Sequence, residues 1–452
     1  MKALLEPYQT ELFYLGKAYG TNIKMPMWFK HFDTGELGAG EAYHIGVFGK
    51  TGSGKSFLSI MMMLAYAKHK NMSIFVLDPQ GQFSKEFKKP EICELFKKEL
   101  NRNVEVISLH NMVLSRYDLF KKILITSNFL RRRCQIISLD NQMRAADKIV
   151  SILEGKRSGQ VRIDQTNTPI EPWKAYLRES FDRFWTIIQT DEQIQRSIYT
   201  SDGPRQTMVS TMESANSDYV YDEWKKIANL FSYDGKTNAK KINELVEQIT
   251  LSQKEGKILI IDLSEINIPE NIFWNEEMKH IVIAEFLSQL TKQAEKVYKT
   301  NERLLNTLVI LDEAHRLAPR DSIENETLAQ VKMILIDAIR TTRKYGLGWM
   351  FISQTLSSLD REIINQIRIF IFGFGLAWGI ERQALRDLIG GAEESIRLYQ
   401  LFRDPQSSLG EREYPFMTIG PISPLSFSGT PLFFTALKYP TDFLSINFGA
   451  KK

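Results

Sequence analysis

The chain has 452 residues, of which 43% are hydrophobic and 25% are charged. This composition is typical of a globular protein of two or three domains and excludes a collagen, a mucin or a disordered tail. The 58 Lys and Arg residues nearly balance the 54 Asp and Glu residues, so the formal net charge is only +4. A surface coated with basic patches is therefore excluded, and any nucleic acid must bind locally.

Cysteine content and hydropathy indicate the compartment. The two cysteines, Cys93 and Cys134, cannot build a disulfide framework or a zinc cluster, and their scarcity suits a reducing environment. The longest apolar runs, LSIMMMLAYA and RIFIFGFGLAWGI, fall short of the ~20 residues that span a bilayer, and no signal peptide is evident. We predict a cytoplasmic protein without membrane insertion.

Short apolar runs alternate with long helical patterns, which predicts an α/β fold with a mostly parallel central sheet. The predicted strands are His44 to Phe48, Ser73 to Leu77, Val104 to Leu109, Ile258 to Leu263, Thr307 to Leu311, Trp349 to Ser353 and Arg368 to Phe372.

Composition along the chain divides it into four predicted parts. Residues 1–40 form a short N-terminal segment, and residues 41–110 with 257–412 form the α/β core. Between them, residues 111–256 are rich in charge and helical period, which predicts a helical insertion whose regularly spaced aromatic residues form a core. Residues 413–452 form the fourth part, and its stretch from Glu413 to Tyr439 is rich in Pro, Gly, Ser and Thr, which predicts short strands and turns or an extended arm.

The strongest motif is GKTGSGKS, which matches a phosphate-binding loop between a strand and a helix. Its glycines let the backbone turn several N–H groups inward, Lys55 reaches the β and γ phosphates, and Ser56 offers a hydroxyl to Mg²⁺. The predicted nucleotide-binding residues are Gly49, Lys50, Thr51, Gly52, Ser53, Gly54, Lys55, Ser56 and Phe57.

A second motif, TLVILDEAH, indicates hydrolysis. Asp312, at the end of an apolar strand, can hold Mg²⁺ together with Ser56, and Glu313 can orient and deprotonate the attacking water. His315 is as consistent with capping or packing as with chemistry. ATP and Mg²⁺ are the expected cofactors.

Two further elements complete the predicted catalytic set. Gln354 ends the apolar run WMFISQ, where its amide can sense the γ phosphate or hold the lytic water. Arg340 and Arg343 lie near the end of an amphipathic helix. Each can simply complement the helix dipole, or one can enter a neighbouring subunit's site as an arginine finger, which requires a ring.

Together with LDPQGQF, IIDLS and SSLDREIINQIRIFIFG, these motifs resemble the HerA-type ATPases of the HerA and FtsK superfamily, from Glu41 to about Leu376. The resemblance implies a RecA-like core with a helical insertion and a homo-hexameric ring. It also implies ATP-driven translocation of double-stranded DNA through the pore. We further predict that the motor works with a nuclease or another effector in DNA end processing or phage defence. By the same resemblance Lys55 and Ser56 bind phosphate, Asp312 binds Mg²⁺, Glu313 is catalytic and Gln354 is the sensor.

The sequence departs from this family in two places. Residues 1–40 are too few for the family's N-terminal β-barrel, which helps to dock the nuclease. Gln82 replaces the glutamate that normally follows Asp78, Pro79 and Gly81, and Asp78 itself either contributes to the site or caps a turn.

Other interpretations remain. The conjugation and type IV secretion ATPases share the main motifs, whereas a DEAH-box helicase would need a second RecA-like domain after Leu376. A nucleotide-dependent ring scaffold for an effector is the alternative outside the enzyme class. Candidate DNA contacts are Arg131 to Arg133 and the pair Lys156 and Arg157, although charge runs are usually solvated faces.

Overall fold

The computed structural model describes residues 11–35, 37–155, 168–251, 255–407, 409–426 and 429–449. The chain divides into two compact units. Unit 1 comprises Met1–Val106, Val246–Leu263 and Phe286–Lys452, and unit 2 comprises Ile107–Leu245 and Ser264–Glu285. Unit 2 thus takes in residues 264–285, which the sequence analysis assigns to the α/β core.

The strands, in chain order, are β1 (Leu12–Ala18), β2 (Lys24–Trp28), β3 (His44–Phe48), β4 (Ser73–Asp78), β5 (Val104–Ile107), β6 (Met112–Val113), β7 (Lys240–Lys241), β8 (Ile258–Asp262), β9 (Thr307–Leu311), β10 (Leu347–Ser353), β11 (Ile367–Gly373), β12 (Pro415–Ile419) and β13 (Leu432–Ala436). Each of the seven predicted strands forms, and its ends lie within two residues of the predicted ones.

The helices, in chain order, are α1 (Lys55–Ala67), α2 (Gln82–Phe87), α3 (Pro90–Leu100), α4 (Tyr117–Thr126), α5 (Phe129–Cys134), α6 (Leu139–Leu153), α7 (Arg178–Thr190), α8 (Glu192–Ile198), α9 (Asp202–Ser214), α10 (Ser217–Ala228), α11 (Ile242–Thr250), α12 (Glu276–Asn301), α13 (Ala314–Leu317), α14 (Glu326–Thr342), α15 (Arg361–Gln366), α16 (Gly379–Leu388), α17 (Glu393–Gln400) and α18 (Thr441–Phe448). No helix within these described ranges is both long and apolar enough to cross a membrane.

An eleven-stranded sheet dominates the fold, in the order β2-β1-β13-β12-β11-β3-β10-β9-β4-β8-β5. The six strands from β11 to β8 run parallel, and those from β2 to β12 pair antiparallel, including β12 with β11. The central strands β3, β4, β8, β9 and β10 are buried along their whole length, as the apolar runs require. The predicted α/β class with a mostly parallel sheet is confirmed.

The N-terminal strands β1 and β2 were not anticipated from the sequence. β1 pairs with β2 on one side and with β13 on the other, so that the two ends of the chain extend the same sheet. Residues 415–419 and 432–436 form β12 and β13, short strands of the kind predicted for this region.

A buried arginine fastens the end of α1 to the sheet. Arg102 is only 1% exposed. Its Nη1 donates to the carbonyls of Ala67 (2.9 Å) and His69 (3.0 Å), and its Nη2 donates to those of Met72 (2.7 Å) and Gly256 (2.9 Å). Because cations favour the carboxyl end of a helix, Arg102 satisfies carbonyls that α1 leaves without partners.

Unit 2 is largely helical and has an aromatic core. The fully buried Trp224 of α10 packs with Phe120, Phe129 and Phe184 at centroid distances of 5.3, 5.7 and 4.4 Å. Its indole N–H donates to the carbonyl of Ala175 at 2.8 Å, which satisfies the polar atom of this ring. The aromatic residues at helical spacing therefore serve packing, as the sequence indicates.

Candidate nucleotide-binding site

Three polar segments meet at the carboxyl edge of neighbouring parallel strands. β10 pairs with β3 on one side and β9 on the other, so the residues that follow these strands lie side by side. They line a cleft of about 260 Å³, to which Lys55, Ser56, Asp312, Glu313 and Gln354 all contribute. Residues from three distant parts of the sequence therefore form one site.

The phosphate loop has the backbone that its glycines allow. Gly52 and Gly54 have φ of +84° and +87°, which side-chain-bearing residues rarely adopt. The Lys55 ammonium is nearly buried and donates to the carbonyls of Gly49 (2.6 Å) and Lys50 (3.1 Å). Burial lowers the pKa of Lys55, while the nearby Glu313 and Asp312 carboxylates raise it. A bound phosphate would give this cation the counter-charge that the two carbonyls do not provide.

Asp312 and Glu313 form a buried acidic pair. Their exposures are 3% and 5%, and among the described residues neither Asp312 Oδ2 nor Glu313 Oε2 has a hydrogen-bond partner. Burial raises the pKa of Asp312 to about 7, and the charges of Asp78 and Glu313 add to this effect. Carboxylate oxygens without hydrogen bonds, in a cleft that Ser56 also lines, match the oxygen ligands that Mg²⁺ prefers, so the residues present fit this ion.

Gln354 links the acidic pair to the phosphate loop. Its Nε2 donates to Glu313 Oε1 at 2.7 Å, and its Oε1 accepts from Thr51 Oγ1 at 3.2 Å. Glu313 itself has φ of +51°. The amide thus holds the carboxylate of a residue whose backbone is in the left-handed region.

His315 lies behind Glu313. Its Nδ1 is 3.1 Å from Ser353 Oγ and 3.4 Å from Glu313 Oε2. Burial lowers the pKa of His315, and the negative charge of Glu313 opposes this shift. The ring supports the strand ends and does not line the cleft.

Asp78 acts as a helix cap. Its carboxylate accepts from the backbone N–H groups of Gln82 (3.1 Å) and Ser84 (2.7 Å) and from the Ser84 hydroxyl (2.7 Å). Gln82, which replaces the glutamate expected at this position, lines the cleft, and its Oε1 lies 3.5 Å from Ser56 Oγ. An amide therefore lies beside the proposed metal position.

Arg340 and Arg343 lie at the opposite edge of the sheet from this cleft. Arg343 directly follows α14. Three residues later, the carbonyl of Gly346 accepts from the backbone N–H of Thr307 at 3.0 Å, so Arg343 lies close to where β9 and β10 begin. Seven residues of β10, about 20 Å of strand, separate this edge from Ser353. Both guanidinium groups are more than half exposed and pair with Glu362 and Glu41, at 3.1 and 3.3 Å. The structure does not bring either arginine to the site of its own chain.

Sequence reasoning missed four side chains around the cleft. Gln406, Arg412 and Tyr414 line it from the C-terminal part of unit 1. Glu381 accepts from the backbone N–H groups of Leu356 (2.8 Å) and Ser357 (3.3 Å) and so holds the loop that follows Gln354. No motif marks these residues, which reach the site through the folding of distant segments.

Two of the candidate DNA-contacting arginines make ion pairs within unit 2. Arg133 forms a two-pronged ion pair with Glu223 and stacks on Tyr219 at 4.6 Å, and Arg132 is 3.7 Å from the same carboxylate. These contacts favour a structural role for Arg132 and Arg133, whereas Arg131 is exposed. Lys156 and Arg157 lie outside the described residues.

A family model described as "Helicase HerA, central domain" matches residues 42–290, more than half of the chain. The chain belongs to this HerA family. It is accordingly a HerA-type P-loop ATPase, and the resemblance predicted from the motifs is confirmed. The match includes the phosphate loop and ends before Asp312, Glu313 and Gln354.

Several solved structures are similar to this HerA-family chain at low identity. VirB4 of Thermoanaerobacter pseudethanolicus has a TM-score of 0.47 and 14% identity, over 95% of this chain and 97% of that one. The bacterial conjugative coupling protein TrwBdeltaN70 has a TM-score of 0.43 and 13% identity, over 96% and 91%. The genome packaging NTPase B204 from Sulfolobus turreted icosahedral virus 2, in complex with AMPPCP, has a TM-score of 0.34 and 10% identity, over 88% and 98%.

No curated protein sequence matches this chain.

Proposed function

We propose that this chain is an ATP-hydrolysing motor that assembles as a homo-hexameric ring and translocates double-stranded DNA through its pore. In this proposal it works in the cytoplasm with a nuclease or another effector protein. Membership in the HerA family supports the motor assignment. The observation that carries hydrolysis is the hydrogen bond from Gln354 to Glu313 in the cleft that also contains Lys55.

The proposed binding roles follow from the position of each group. The N–H groups of residues 49–57 and the Lys55 ammonium bind the phosphates, because the loop and the start of α1 present donors and positive charge. Ser56 and Asp312 hold Mg²⁺. Bound Mg²⁺ would neutralise charge that develops on the β and γ phosphates during hydrolysis.

The proposed catalytic roles fall to Glu313 and Gln354. Glu313, with one carboxylate oxygen that accepts no hydrogen bond among the described residues, orients the attacking water and accepts its proton. Gln354 aligns this carboxylate and senses the terminal phosphate through its link to Thr51. Arg340 or Arg343 acts on a neighbouring subunit's nucleotide, since both lie far from the site of their own chain.

Steady-state ATP hydrolysis with and without double-stranded DNA tests the activity. We expect Lys55→Ala to lose tight ATP binding, and Glu313→Gln to keep binding while turnover stops. Lys70→Ala is the matched control, because Lys70 is exposed just beyond the far end of α1 and should leave hydrolysis unchanged. Hydrolysis by Glu313→Gln at the wild-type rate would show that the base is misassigned.

Native mass measurement with ATP tests the ring. A hexamer whose ATPase rate rises with DNA supports a translocating motor. A hexamer without turnover in either condition would favour the scaffold function, and a stable monomer would exclude the pore.

A further inference from the structure

Part of the C-terminal region packs directly on the phosphate loop. A Cβ atom placed on Gly54 would lie 2.6 Å from Tyr414 Cδ1, and one placed on Gly52 would lie 2.3 Å from Gln406 Nε2. Distances this short mean that any side chain at these two glycines would clash with Tyr414 or Gln406, so both residues pack directly against the loop backbone. These two residues therefore form a wall of the nucleotide cleft.

The fold itself positions this wall. Tyr414 precedes β12, which pairs with β11 and β13, and its carbonyl accepts from the backbone of Ala436 at 2.9 Å. Gln406 lies in the short helical turn Pro405–Ser407, and its backbone N–H donates to Asp404 Oδ1 at 2.9 Å. Neither anchor requires a bound ligand, so the wall is already formed in this structure.

The wall carries an arginine. Arg412 is exposed, lies two residues before Tyr414 and lines the same cleft as Lys55 and Asp312. Arg412 forms no ion pair with a carboxylate of the described residues, whereas the adjacent Glu411 pairs with Lys438. A guanidinium without a carboxylate partner among the described residues thus lines the cleft of the phosphate loop.

We propose that Arg412 binds the terminal phosphates of the nucleotide held by the phosphate loop of its own chain. This inference rests on the proposed function, since it assigns one more contact of the same site. A guanidinium has a planar fork of N–H donors and a permanent charge, and it pairs with two phosphate oxygens at once. Arg412 is a contact within one chain and is distinct from Arg340 and Arg343, which can reach only a neighbour.

Competition binding tests the assignment. A fluorescent ATP analogue is displaced by unlabelled ATP, ADP or AMP from the wild type, Arg412→Ala and Arg412→Lys. We expect Arg412→Ala to bind ATP about tenfold more weakly or worse, with a smaller loss for AMP, because hydrogen bonds to charged groups are the stronger ones. Arg412→Lys should recover part of the loss, since it keeps the charge without the fork.

The matched control is Arg403→Ala. Arg403 is exposed in the same C-terminal region and lines the neighbouring groove together with Arg412, but it does not line the nucleotide cleft. It should bind ATP with wild-type affinity. Unchanged ATP affinity in Arg412→Ala, or an equal loss for ATP and AMP, would overturn the inference.

Mixing two variants tests whether the contact is made within one chain. When Arg412→Ala chains are mixed with Lys55→Ala chains, tight ATP binding should stay lost, because no chain has both residues. Recovery of tight binding would show that Arg412 acts on a neighbouring subunit and would refute the assignment. If the wild type binds no ATP, the proposed function fails. If the wild type binds ATP and Arg412→Ala binds it equally well, only the Arg412 contact fails.

Discussion

His44, the first residue of the strand that leads into the phosphate loop, should make unit 1 sensitive to mild acid. Its imidazole is fully buried. Nε2 donates to the carbonyl of Ile339 at 3.1 Å, and Nδ1 accepts from the backbone N–H of Trp349 at 3.2 Å. Because Nδ1 must be an acceptor, the ring is neutral in the folded protein. Burial lowers the pKa of His44 from 6.5 to about 4, and the positive charge of Arg343 adds to this effect.

The sign and size of the effect follow from this shift. Between pH 6.5 and pH 4 the unfolded chain takes up a proton at His44 and the folded chain does not, so stability falls as the pH falls through this window. With 1.36 kcal/mol per pKa unit, His44 alone should lower the free energy of unfolding by about 2 kcal/mol between pH 7 and pH 5. By pH 4 the loss should approach about 3 kcal/mol.

Urea unfolding at pH 7, 6 and 5, followed by tryptophan fluorescence, measures this loss. His44→Asn should be less stable than the wild type at pH 7, because the shorter side chain cannot make both hydrogen bonds. Its free energy of unfolding should nevertheless decline by about 2 kcal/mol less than that of the wild type between pH 7 and pH 5. Parallel pH profiles for the two proteins would show that His44 does not titrate as this geometry requires.

Three further changes test other contacts. Arg102→Met leaves four carbonyls, three of them buried, without their donor and should lower the free energy of unfolding by about 3 to 5 kcal/mol in urea titrations; a loss under about 1 kcal/mol would mean that water replaces the guanidinium. Gln354→Ala releases Glu313 and should lower kcat for ATP about 10² to 10³-fold with little change in KM, whereas an unchanged kcat would limit the amide to a structural role. Arg340→Ala or Arg343→Ala should slow hydrolysis by the assembled ring and leave ATP affinity unchanged; if neither variant is slower, the finger lies elsewhere.

Much of the fold could be predicted because its signals are local. A strand covered on both faces must be apolar along its length, so β3, β4, β8, β9 and β10 are visible as continuous runs in the sequence. The strands β1 and β2 lack this signal. Their places depend on pairing with each other and with β13, more than 400 residues away, and a local pattern does not specify such a partner.

The centre of the candidate site could be predicted for a related reason. Glycines, a lysine and an acidic pair were expected together because each follows a parallel strand, and the carboxyl ends of such strands share one edge of a sheet. The structure brings Lys55, Asp312 and Gln354 into one cleft, as that rule requires. Their chemical roles stay predictions.

The surroundings of the site depend on tertiary structure alone. Arg412 and Tyr414 line the nucleotide cleft because β12 pairs beside β11, and neither residue stands in a motif of its own. Arg340 belongs to a helix whose end lies at the far edge of the sheet, so its spacing in the sequence could not reveal which site it serves. Local periodicity and strand-end chemistry thus determine what a segment can do, whereas strand order decides which segments meet, since distant pairings carry almost no signature in the residues that make them.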